Sequence, residues 1–478
     1  MTTAETKTAP AAARGRGRRA LGRLLFGGLL VPLAACSLDE ALTVEERDVV
    51  TPGQLTDRSA LPALLAGAQA EFQAAYIGNN AGAAAGGTSG DSQITLSGLM
   101  TDELFNIETF PTRVEVDQRT IQNTNVTMLP VYRALQLARG SADRAAAAYA
   151  SLDSTNVGRA EVLGLAGFAF ILFGENYCSG VPVSRQTESG ELEFGDPVPT
   201  QAQFDSAIVR FDQAIQVATA AGTTGATRVN LARVGKGRAL LNQGKFADAA
   251  AAVAAVPTTF SYQVFGSENS ARENNGVFLL SGPVGRRYAG GPSTKTEPNG
   301  LNFIDADPRA VSIRPTATTN GFDNFNPAFY QQKYTSRSSA VVLADGVEAR
   351  LIEAEAALQT GDLATFLARL NAARTQRGPA TLRQLTVADI PATRDGQVTL
   401  LFTERAYNQW LTSHRLGDFR RLIRQYGRDS EAVFPSGPNY PTLGPQKGGG
   451  RYFTDVNFPI PFEEQNNPQF TDCIDRKA

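Results

Sequence analysis

Histidine and cysteine are scarce in this chain, which has one histidine and three cysteines among 478 residues. A single histidine excludes catalytic and metal sites that need two, and zinc clusters with the usual spacing of His and Cys ligands cannot be assembled. A calcium site made only of carboxylates stays compatible with the composition. The sequence therefore predicts no cofactor, and no metal site is assigned.

An excess of basic residues is also absent. The formal net charge is −2, and residues 1–35 hold six basic side chains against one acidic one, so the rest of the chain carries −7. An acidic chain lacks the charge needed to neutralise a string of phosphates, which argues against nucleic acid as a partner. The hydrophobic fraction of 42% and the charged fraction of 19% are typical of a globular protein.

The chain lacks an uncharged hydrophobic run long enough to cross a membrane. The run Leu24–Ala35 has 12 residues, whereas about 20 helical residues are needed to span the hydrocarbon. A basic stretch precedes this run and small residues end it before Cys36, which is the order found in signal peptides. We therefore predict that residues 1–35 are a signal peptide. The ending Leu33-Ala34-Ala35-Cys36 resembles a bacterial lipobox, in which Cys36 becomes the lipidated first residue; secretion without a lipid is the alternative.

The segment after Cys36 is acidic and contains no long apolar run, as expected of a tether between a lipid and a folded body. We assign the tether to residues 36–58 and a single domain to residues 59–478. Asp39 and Glu40 resemble the acidic signal that sends some lipoproteins to the outer face of the outer membrane. The predicted location is therefore the bacterial outer membrane, facing the cell exterior.

The remaining cysteines, Cys178 and Cys473, would enter an oxidising compartment after export, where a disulfide can persist. A bond between them would tie the carboxyl end of the chain to its body. A disulfide requires Cα atoms within about 7 Å of each other. The sequence alone leaves a disulfide and two unpaired buried thiols equally open.

Helical periodicity dominates the chain, and we predict a mostly α-helical fold with minor β structure. The predicted helical segments are residues 60–76, 128–150, 157–174, 202–221, 229–256, 346–376 and 397–425. Long stretches rich in Gly, Asn, Ser and Thr separate them at 77–98, 179–200, 260–340 and 428–457. Loops this long usually carry function. Val162–Gly174 contains no charge, and we interpret it as a buried core helix because it is too short to span a membrane.

Two segments resemble each other at an offset of 117 residues, namely 237–253 and 354–370. In each, a helix with small residues ends at a glycine, Gly244 or Gly361, and a second helix follows. A glycine supplies the left-handed turn and small residues allow close helix approach, so we predict helical hairpins of the tetratricopeptide type. An irregular interval of about 90 residues separates the two units, and an unrelated helical domain with two ordinary hairpins is the alternative.

Three further motifs follow one another along the chain. An extended start at Val50-Thr51-Pro52 leads into a helix marked by Leu61, Leu64, Leu65, Gly67 and Tyr76. A helix and turn follow near the carboxyl end at Thr403-Glu404-Arg405 and Ser413-His414-Arg415-Leu416-Gly417-Asp418-Phe419-Arg420-Arg421. The closing motif is Phe458-Pro459-Ile460-Pro461 with Asn466-Asn467-Pro468. In these motifs the sequence resembles the SusD/RagB family of outer-membrane nutrient-binding lipoproteins, over nearly the whole chain from Cys36 to Pro468.

The sequence departs from the family pattern in its carboxyl-terminal turn. Gln409 and Ser413 replace the usual glutamate and glycine, and Leu416 replaces an aromatic residue. The resemblance nevertheless implies a scaffold of tetratricopeptide-like helical hairpins with long irregular loops. It also implies a surface lipoprotein that binds an oligosaccharide or another nutrient and covers a SusC-like TonB-dependent barrel as its lid.

Ligand contacts vary within that family and come mainly from loops, so the candidate ligand-binding residues rest on side-chain chemistry alone. Aromatic faces stack on sugar rings, and amides bond to sugar hydroxyls. The candidates are Asn79, Asn80, Tyr288, Asn302, Phe303 and Tyr330. The alternative function is a scaffold lipoprotein whose helices bind other envelope proteins and no small ligand.

Near the carboxyl end, Phe402, Ala406, Trp410 and Leu411 fall on one helical face, which predicts that Trp410 belongs to the core. Asp418 is three residues from both Arg415 and Arg421. An arginine fork matches a carboxylate in two-point geometry, so we predict an ion-pair cluster of these residues.

Enzymatic motifs find little support in the sequence. Gly90-Asp91-Ser92 resembles the start of an esterase block, but a serine nucleophile needs a histidine base. His414 is the only histidine, and it lacks the aspartate that such esterases place three residues earlier. Phosphate-binding glycine loops are absent from the sequence. We therefore predict a binding protein and not an enzyme.

Overall fold

The computed structural model describes residues 57–82, 87–187, 191–292, 300–437, 440 and 450–478. The predicted signal peptide, the lipidation site Cys36 and the tether up to residue 56 lie outside the described residues. The described part belongs to one compact unit within Val50–Ala478.

The described residues are mostly helical. The α-helices are α1 (Leu61–Ile77), α2 (Gln93–Met100), α3 (Pro111–Asp117), α4 (Met128–Leu152), α5 (Val157–Asn176), α6 (Thr200–Ala220), α7 (Ala226–Asn242), α8 (Phe246–Val253), α9 (Gly276–Ser281), α10 (Gly346–Thr360), α11 (Leu363–Arg377), α12 (Arg394–Asn408), α13 (Arg415–Tyr426) and α14 (Ser430–Val433). Short 3-10 turns lie at Arg58–Ala60, Gly222–Gly225, Ala271–Glu273, Val387–Asp389 and Phe462–Asn466.

The strands form two-stranded antiparallel sheets between the helices. They are β1 (Leu104–Asn106), β2 (Val181–Pro182), β3 (Arg185–Gln186), β4 (Leu192–Glu193), β5 (Pro197–Val198), β6 (Ser261–Val264), β7 (Tyr288–Gly290), β8 (Ser312–Ile313), β9 (Tyr330–Gln331) and β10 (Val341–Asp345). The pairs are β1 with β7, β2 with β5, β3 with β4, β6 with β10, and β8 with β9. The mostly α fold with minor β structure is confirmed.

The helices pack in a continuous stack. α1 packs on α4, and α4, α5, α6 and α7 each pack on the next helix in sequence. α8 then packs directly on α10, which packs on α11. The interval between α8 and α10 is thus an excursion out of the stack. The stack of helices is therefore continuous in space, although a long interval separates α8 from α10 in the sequence.

Both predicted helical hairpins are present. Gly244, with φ of +73°, lies between α7 and α8, and Gly361, with φ of +76°, lies between α10 and α11. An L side chain adopts this left-handed conformation at a cost, which glycine avoids. The segments that periodicity joined as 229–256, 346–376 and 397–425 are each broken into two helices. Periodicity alone does not reveal such breaks because both helices continue a similar apolar pattern.

Glycines in α5 and α7 allow these helices to enclose an aromatic ring. A Cβ atom built on Gly167 would lie 2.7 Å from the ring of Phe211, and one on Gly235 would lie 2.2 Å from it. Phe211, on α6, therefore fills the space that two missing side chains leave. This contact explains why glycine interrupts two helices whose interiors would otherwise disfavour it.

Helix α5 is long and apolar enough to span a membrane by length and composition, but 89% of its most apolar window is buried inside the protein. Its residues from Ala160 to Asn176 are all buried. Since a buried helix needs no polar face, α5 forms the centre of the core. The interpretation of Val162–Gly174 as a core helix is confirmed.

Helix α2 lies within and just beyond the predicted loop 77–98. Ser92 begins it: Thr95 N donates to Ser92 Oγ over 3.1 Å, and Ser92 N donates to Thr95 Oγ1 over 2.8 Å. Every residue of α2 is buried. Because α2 has no exposed polar face, its sequence lacks the alternation of apolar and polar residues from which a helix is predicted.

The carboxyl-terminal turn contains the predicted core tryptophan and part of the predicted ion-pair cluster, namely the pair of Asp418 with Arg421. Trp410 is fully buried. Asp418 accepts from Arg405 Nε over 3.0 and 2.9 Å, whereas its distance to Arg421 Nη1 is 3.7 Å. Arg415 instead donates to Asp102, with 2.7 Å from Nε to Oδ1 and 2.6 Å from Nη2 to Oδ2. The predicted pairing of Asp418 with Arg415 is thus wrong, because each residue has a closer partner from another element.

Ser413 adopts a left-handed conformation with φ of +56°. The family that the sequence resembles has glycine at this position, and the backbone conformation accounts for that preference. Here the serine hydroxyl lies 3.3 Å from Ser97 Oγ and 3.3 Å from Gln93 O. These long hydrogen bonds partly offset the backbone strain.

Cys178 and Cys473 form a disulfide, with their Cα atoms 6.0 Å apart. Backbone hydrogen bonds reinforce the link, since Ser179 N donates to Asp475 O over 3.2 Å and Ile474 N donates to Ser179 O over 2.8 Å. The end of the chain is thereby held beside the carboxyl end of α5.

Candidate functional site

Four of the six predicted ligand-binding residues are buried, namely Asn79, Tyr288, Phe303 and Tyr330. Asn79 Oδ1 accepts from the backbone nitrogens of Ala81 and Thr88 over 3.2 and 3.1 Å, which stabilises its own loop. The hydroxyl of Tyr288 donates to Asp91 Oδ1 over 2.5 Å. In this structure these side chains do not present a surface to a ligand, and their role in ligand binding stays a prediction.

The buried aromatic candidates anchor their loops. The ring of Phe303 lies 6.1 Å from that of Trp410 and 5.5 Å from that of Tyr407. Tyr330 packs in a small core with Phe105 and Tyr440. A loop aromatic gains more free energy in such a core than in water, so it is withdrawn from the surface.

The two remaining candidates differ in role. Asn302 is half-buried and organises a turn, because its Oδ1 accepts from Ile304 N over 2.7 Å and its Nδ2 donates to Asp305 over 2.9 Å. Asn80 is exposed and lines a cleft of about 450 Å³. This cleft, which we call the arginine cleft, contains two arginines, Arg113 and Arg287.

Pairing of β1 with β7 assembles the arginine cleft. Asn106 is opposite Tyr288 in the register, and Ile107 N donates to Arg287 O over 2.9 Å. This pairing places the segment that leads into α3 next to the segment after α9. Residues about 180 positions apart in the sequence thus share one surface.

A buried network of charges forms the floor of the arginine cleft. Arg113 donates to Asp91 Oδ2, with Nη2 at 2.7 Å, and to Glu108 Oε1, with Nη1 at 2.9 Å. Glu108 Oε2 accepts from Arg287 Nη1 over 2.7 Å. Burial alone would lower the pKa of Arg113, but Asp91, Tyr288 and Glu108 outweigh it and raise that pKa. Arg113 therefore keeps its charge, and Glu108 holds both guanidinium groups in fixed positions.

Two exposed phenylalanines contact these arginines: Phe110 lines the arginine cleft, and Phe322 lies against Arg287 outside the lining residues. Phe110 is 49% exposed and Phe322 is 44% exposed. Arg113 Cζ lies 5.7 Å from the ring centre of Phe110, and Arg287 Cζ lies 3.4 Å from that of Phe322. Exposed aromatic faces beside fixed polar donors can hold a ring-shaped ligand that has apolar faces and hydroxyl edges. A pyranose has this combination.

The esterase-like serine Ser92 and the single histidine His414 each have a structural role. Ser92 caps α2 and is fully buried. His414 Nε2 lies 3.1 Å from Glu348 Oε1, and its Nδ1 is 2.9 Å from Thr412 Oγ1. The geometry thus gives each side chain a structural partner. Within the described residues, no group of three or more His, Cys, Asp or Glu side chains could hold a metal ion.

Sequence reasoning missed Phe110, Arg113, Arg287 and Phe322. Arg287 is adjacent to the predicted Tyr288 and lies within a predicted long loop, but the sequence does not show which of the two side chains faces outward. Strand alternation places neighbouring side chains on opposite faces, so a buried Tyr288 implies an outward-facing neighbour.

A larger groove of about 1010 Å³ runs along α4 beside β3 and β4. Two of its arginines are paired within the groove, since Arg210 Nε is 2.9 Å from Asp143 and Arg185 Nε is 2.8 Å from Glu193. It lacks the two exposed rings stacked beside fixed arginines. We therefore assign the ligand site to the smaller arginine cleft.

Comparisons with known proteins agree with the described fold. No protein-family model and no curated protein sequence matches the chain. Among solved structures, a SusD superfamily protein from Bacteroides fragilis is 14% identical with a TM-score of 0.62, and the match covers 87% of this chain and 99% of that one. Surface glycan-binding protein A from Bacteroides uniformis is 13% identical with a TM-score of 0.60, again over 87% and 99% of the two chains.

A laminarin-binding SusD-like protein is 15% identical, with a TM-score of 0.55 and coverage of 87% of this chain and 99% of that one. Matches to SusD superfamily proteins therefore extend over nearly all of the described chain. At these identities they establish the architecture of helical hairpins, and the ligand has to be argued from the cleft.

Proposed function

We propose that this chain, which has the fold of SusD superfamily proteins, is a surface lipoprotein that binds an oligosaccharide in the arginine cleft. In this proposal it delivers the oligosaccharide to a TonB-dependent outer-membrane transporter and acts as its lid. The observation that carries the proposal is the pair of exposed phenylalanines, Phe110 and Phe322, each beside an arginine held by Glu108.

The geometry supports binding over catalysis. The carboxylates of the arginine cleft are held by arginines, with Arg113 on Asp91 at 2.7 Å and Arg287 on Glu108 at 2.7 Å. The oxygens that accept these charge-assisted hydrogen bonds are already engaged by the arginines. Two fixed rings and two fixed guanidinium groups hold a sugar without providing a nucleophile.

Similar solved structures favour a glycan among the candidate nutrients. One of them is named as a surface glycan-binding protein and another as laminarin-binding. Exposed Asn80 adds an amide at the rim of the cleft. Amide and guanidinium groups together can donate to and accept from sugar hydroxyls.

We expect removal of the rings of Phe110 and Phe322 to weaken glycan binding strongly. Phe110→Ala/Phe322→Ala should weaken glycan binding at least about tenfold, which corresponds to about 1.4 kcal/mol, because both stacking faces are lost. Binding is measured by calorimetry with whichever oligosaccharide a neutral glycan array selects. Phe462→Ala is the matched control, since Phe462 is 51% exposed and lies on the 3-10 turn Phe462–Asn466, outside the residues that line the cleft. Equal binding by the double variant and the control would contradict the proposed site.

The lipid anchor and the lid role require cellular experiments. An alkyne fatty acid should label the wild-type protein and leave Cys36→Ser unlabelled. A pull-down from detergent-extracted membranes should recover one dominant barrel protein. Recovery of envelope proteins other than a barrel, together with no glycan binding, would instead support the scaffold function.

A further inference from the structure

A second cleft, of about 920 Å³, lies between α1, α5, the start of α7 and strand β6 with the loop that follows it. We call it the β6 cleft. It shares no lining residue with the arginine cleft. Its volume is in the range of small-molecule sites.

The floor of the β6 cleft is a carboxylate, each oxygen of which accepts two hydrogen bonds. Glu161 is buried, and its Oε1 accepts from Gln69 Nε2 over 2.6 Å and from the Tyr262 hydroxyl over 2.8 Å. Its Oε2 accepts from Arg228, with Nε at 2.9 Å and Nη2 at 2.6 Å. Glu161 thus fixes side chains from three different elements in one geometry.

These fixed side chains retain unused hydrogen-bonding capacity. Gln69 is exposed and uses its Nε2 on Glu161, which leaves its carbonyl oxygen as an acceptor. Arg228 bonds through Nε and Nη2, which leaves Nη1 as a donor. Burial and the charge of Glu161 raise the pKa of Tyr262, so its hydroxyl stays protonated. A donor and an acceptor side by side match the two functions of a hydroxyl group.

An exposed aromatic ring lies at the rim of the β6 cleft. Phe265 is 71% exposed and directly follows β6. Gln263 lies two positions earlier and is also exposed. Gln263 and Phe265 both line the cleft, together with Tyr262. A ring of this size gains free energy when a ligand covers it.

The formal charges of the residues that line the β6 cleft cancel, with Glu161 and Glu273 against Arg228 and Arg272. Arg228 is paired with Glu161, and Arg272 lies 3.6 Å from Glu71. Glu273 Oε1 accepts from the Ser270 hydroxyl over 3.0 Å. A site without excess charge favours an uncharged ligand, because a charged one would lose hydration without a matching partner.

We propose that the β6 cleft is a second binding site for a neutral oligosaccharide, with Phe265 as the stacking face and Gln69, Arg228 and Gln263 as hydroxyl partners. This site goes beyond the arginine cleft of the proposed function and does not need it. Two sites on one chain would hold a long glycan at two points, which raises its effective affinity without tighter contacts at either site.

The test uses the full chain in detergent with three neutral probes, namely maltotriose, cellotriose and laminaritriose, and with a trimer of glucuronic acid. Hydrogen exchange followed by mass spectrometry reports on residues 261–273 and separately on residues 106–113. At least one neutral probe should slow exchange in residues 261–273, and Phe265→Ala should abolish that protection and weaken the site at least tenfold. Phe265→Tyr, which keeps the stacking face, should retain it, and Phe462→Ala is the surface control.

The outcomes separate the two sites. Protection of 106–113 alone would overturn the second site and leave the proposed function standing, whereas protection of 261–273 alone would support the second site and count against the arginine cleft. The second site is also overturned if all probes leave 261–273 unchanged, if Phe265→Ala binds as the wild type does, or if the charged trimer binds more tightly there than every neutral probe.

Discussion

Arg405→Met is expected to lower the free energy of unfolding by about 3 to 5 kcal/mol, the usual cost of leaving a buried charge without its partner. Asp418 is buried, and Arg405 contacts both of its carboxylate oxygens, at 3.0 and 2.9 Å. Burial alone would raise the pKa of Asp418, but Arg405 and Arg421 outweigh it, so that pKa lies below its usual range. Asp418 is therefore charged in the folded protein and depends on Arg405.

Urea denaturation measures the lower free energy of unfolding of Arg405→Met. A second substitution, at Asp418, tests whether the unpaired buried charge causes it. Arg405→Met/Asp418→Asn should recover at least about 1 kcal/mol relative to the single variant, because the uncompensated charge is gone. A single-variant loss below about 1 kcal/mol, or a double variant less stable than Arg405→Met, would show that Arg421 or water compensates Asp418.

Loss of the disulfide should have an effect of similar size. Cys178 and Cys473 are 295 residues apart in sequence, and the entropy of closing so long a loop in the unfolded chain places the stabilisation near the upper end of the usual range of about 2 to 5 kcal/mol. Cys178→Ser/Cys473→Ser should therefore unfold at a clearly lower urea concentration than the wild type. Residues 473–475 should also exchange their amide hydrogens faster.

Reductant provides the control for the disulfide. Dithiothreitol should lower the stability of the wild type to that of the double variant and leave the double variant unchanged. Equal stability of the oxidised and reduced wild type would mean that the backbone bonds between Ser179 and residues 474 and 475 hold the chain end without the disulfide.

The parts of the fold that depend on local rules could be predicted from the sequence. Gly244 and Gly361 end their helices because only glycine adopts a positive φ at low cost, and this rule needs no tertiary information. Trp410 could be assigned to the core because one helical face carries the apolar residues. Arg405 and Asp418, by contrast, lie on different helices, and helical spacing identifies only partners within one helix.

The candidate site depends on information that the sequence does not display. Tyr288 and Arg287 are neighbours, yet the tyrosine is buried on Asp91 and the arginine faces Phe322. Which of them reaches the surface is decided by the pairing of β1 with β7, two short strands about 180 residues apart. Three-residue strands carry too little alternation to be read as strands.

The direct packing of α8 on α10 bears on where this chain tolerates insertions and deletions during evolution. α8 ends at Val253 and α10 begins at Gly346, so their contact closes a long excursion whose entropic cost rises by only about 0.6 kcal/mol for each doubling of its length. Insertions or deletions between Val253 and Gly346 should therefore cost the helix stack little. Because Phe265, Arg287 and Phe322 of the two proposed sites all lie in that interval, we expect relatives to differ in these sites while the helix stack stays the same.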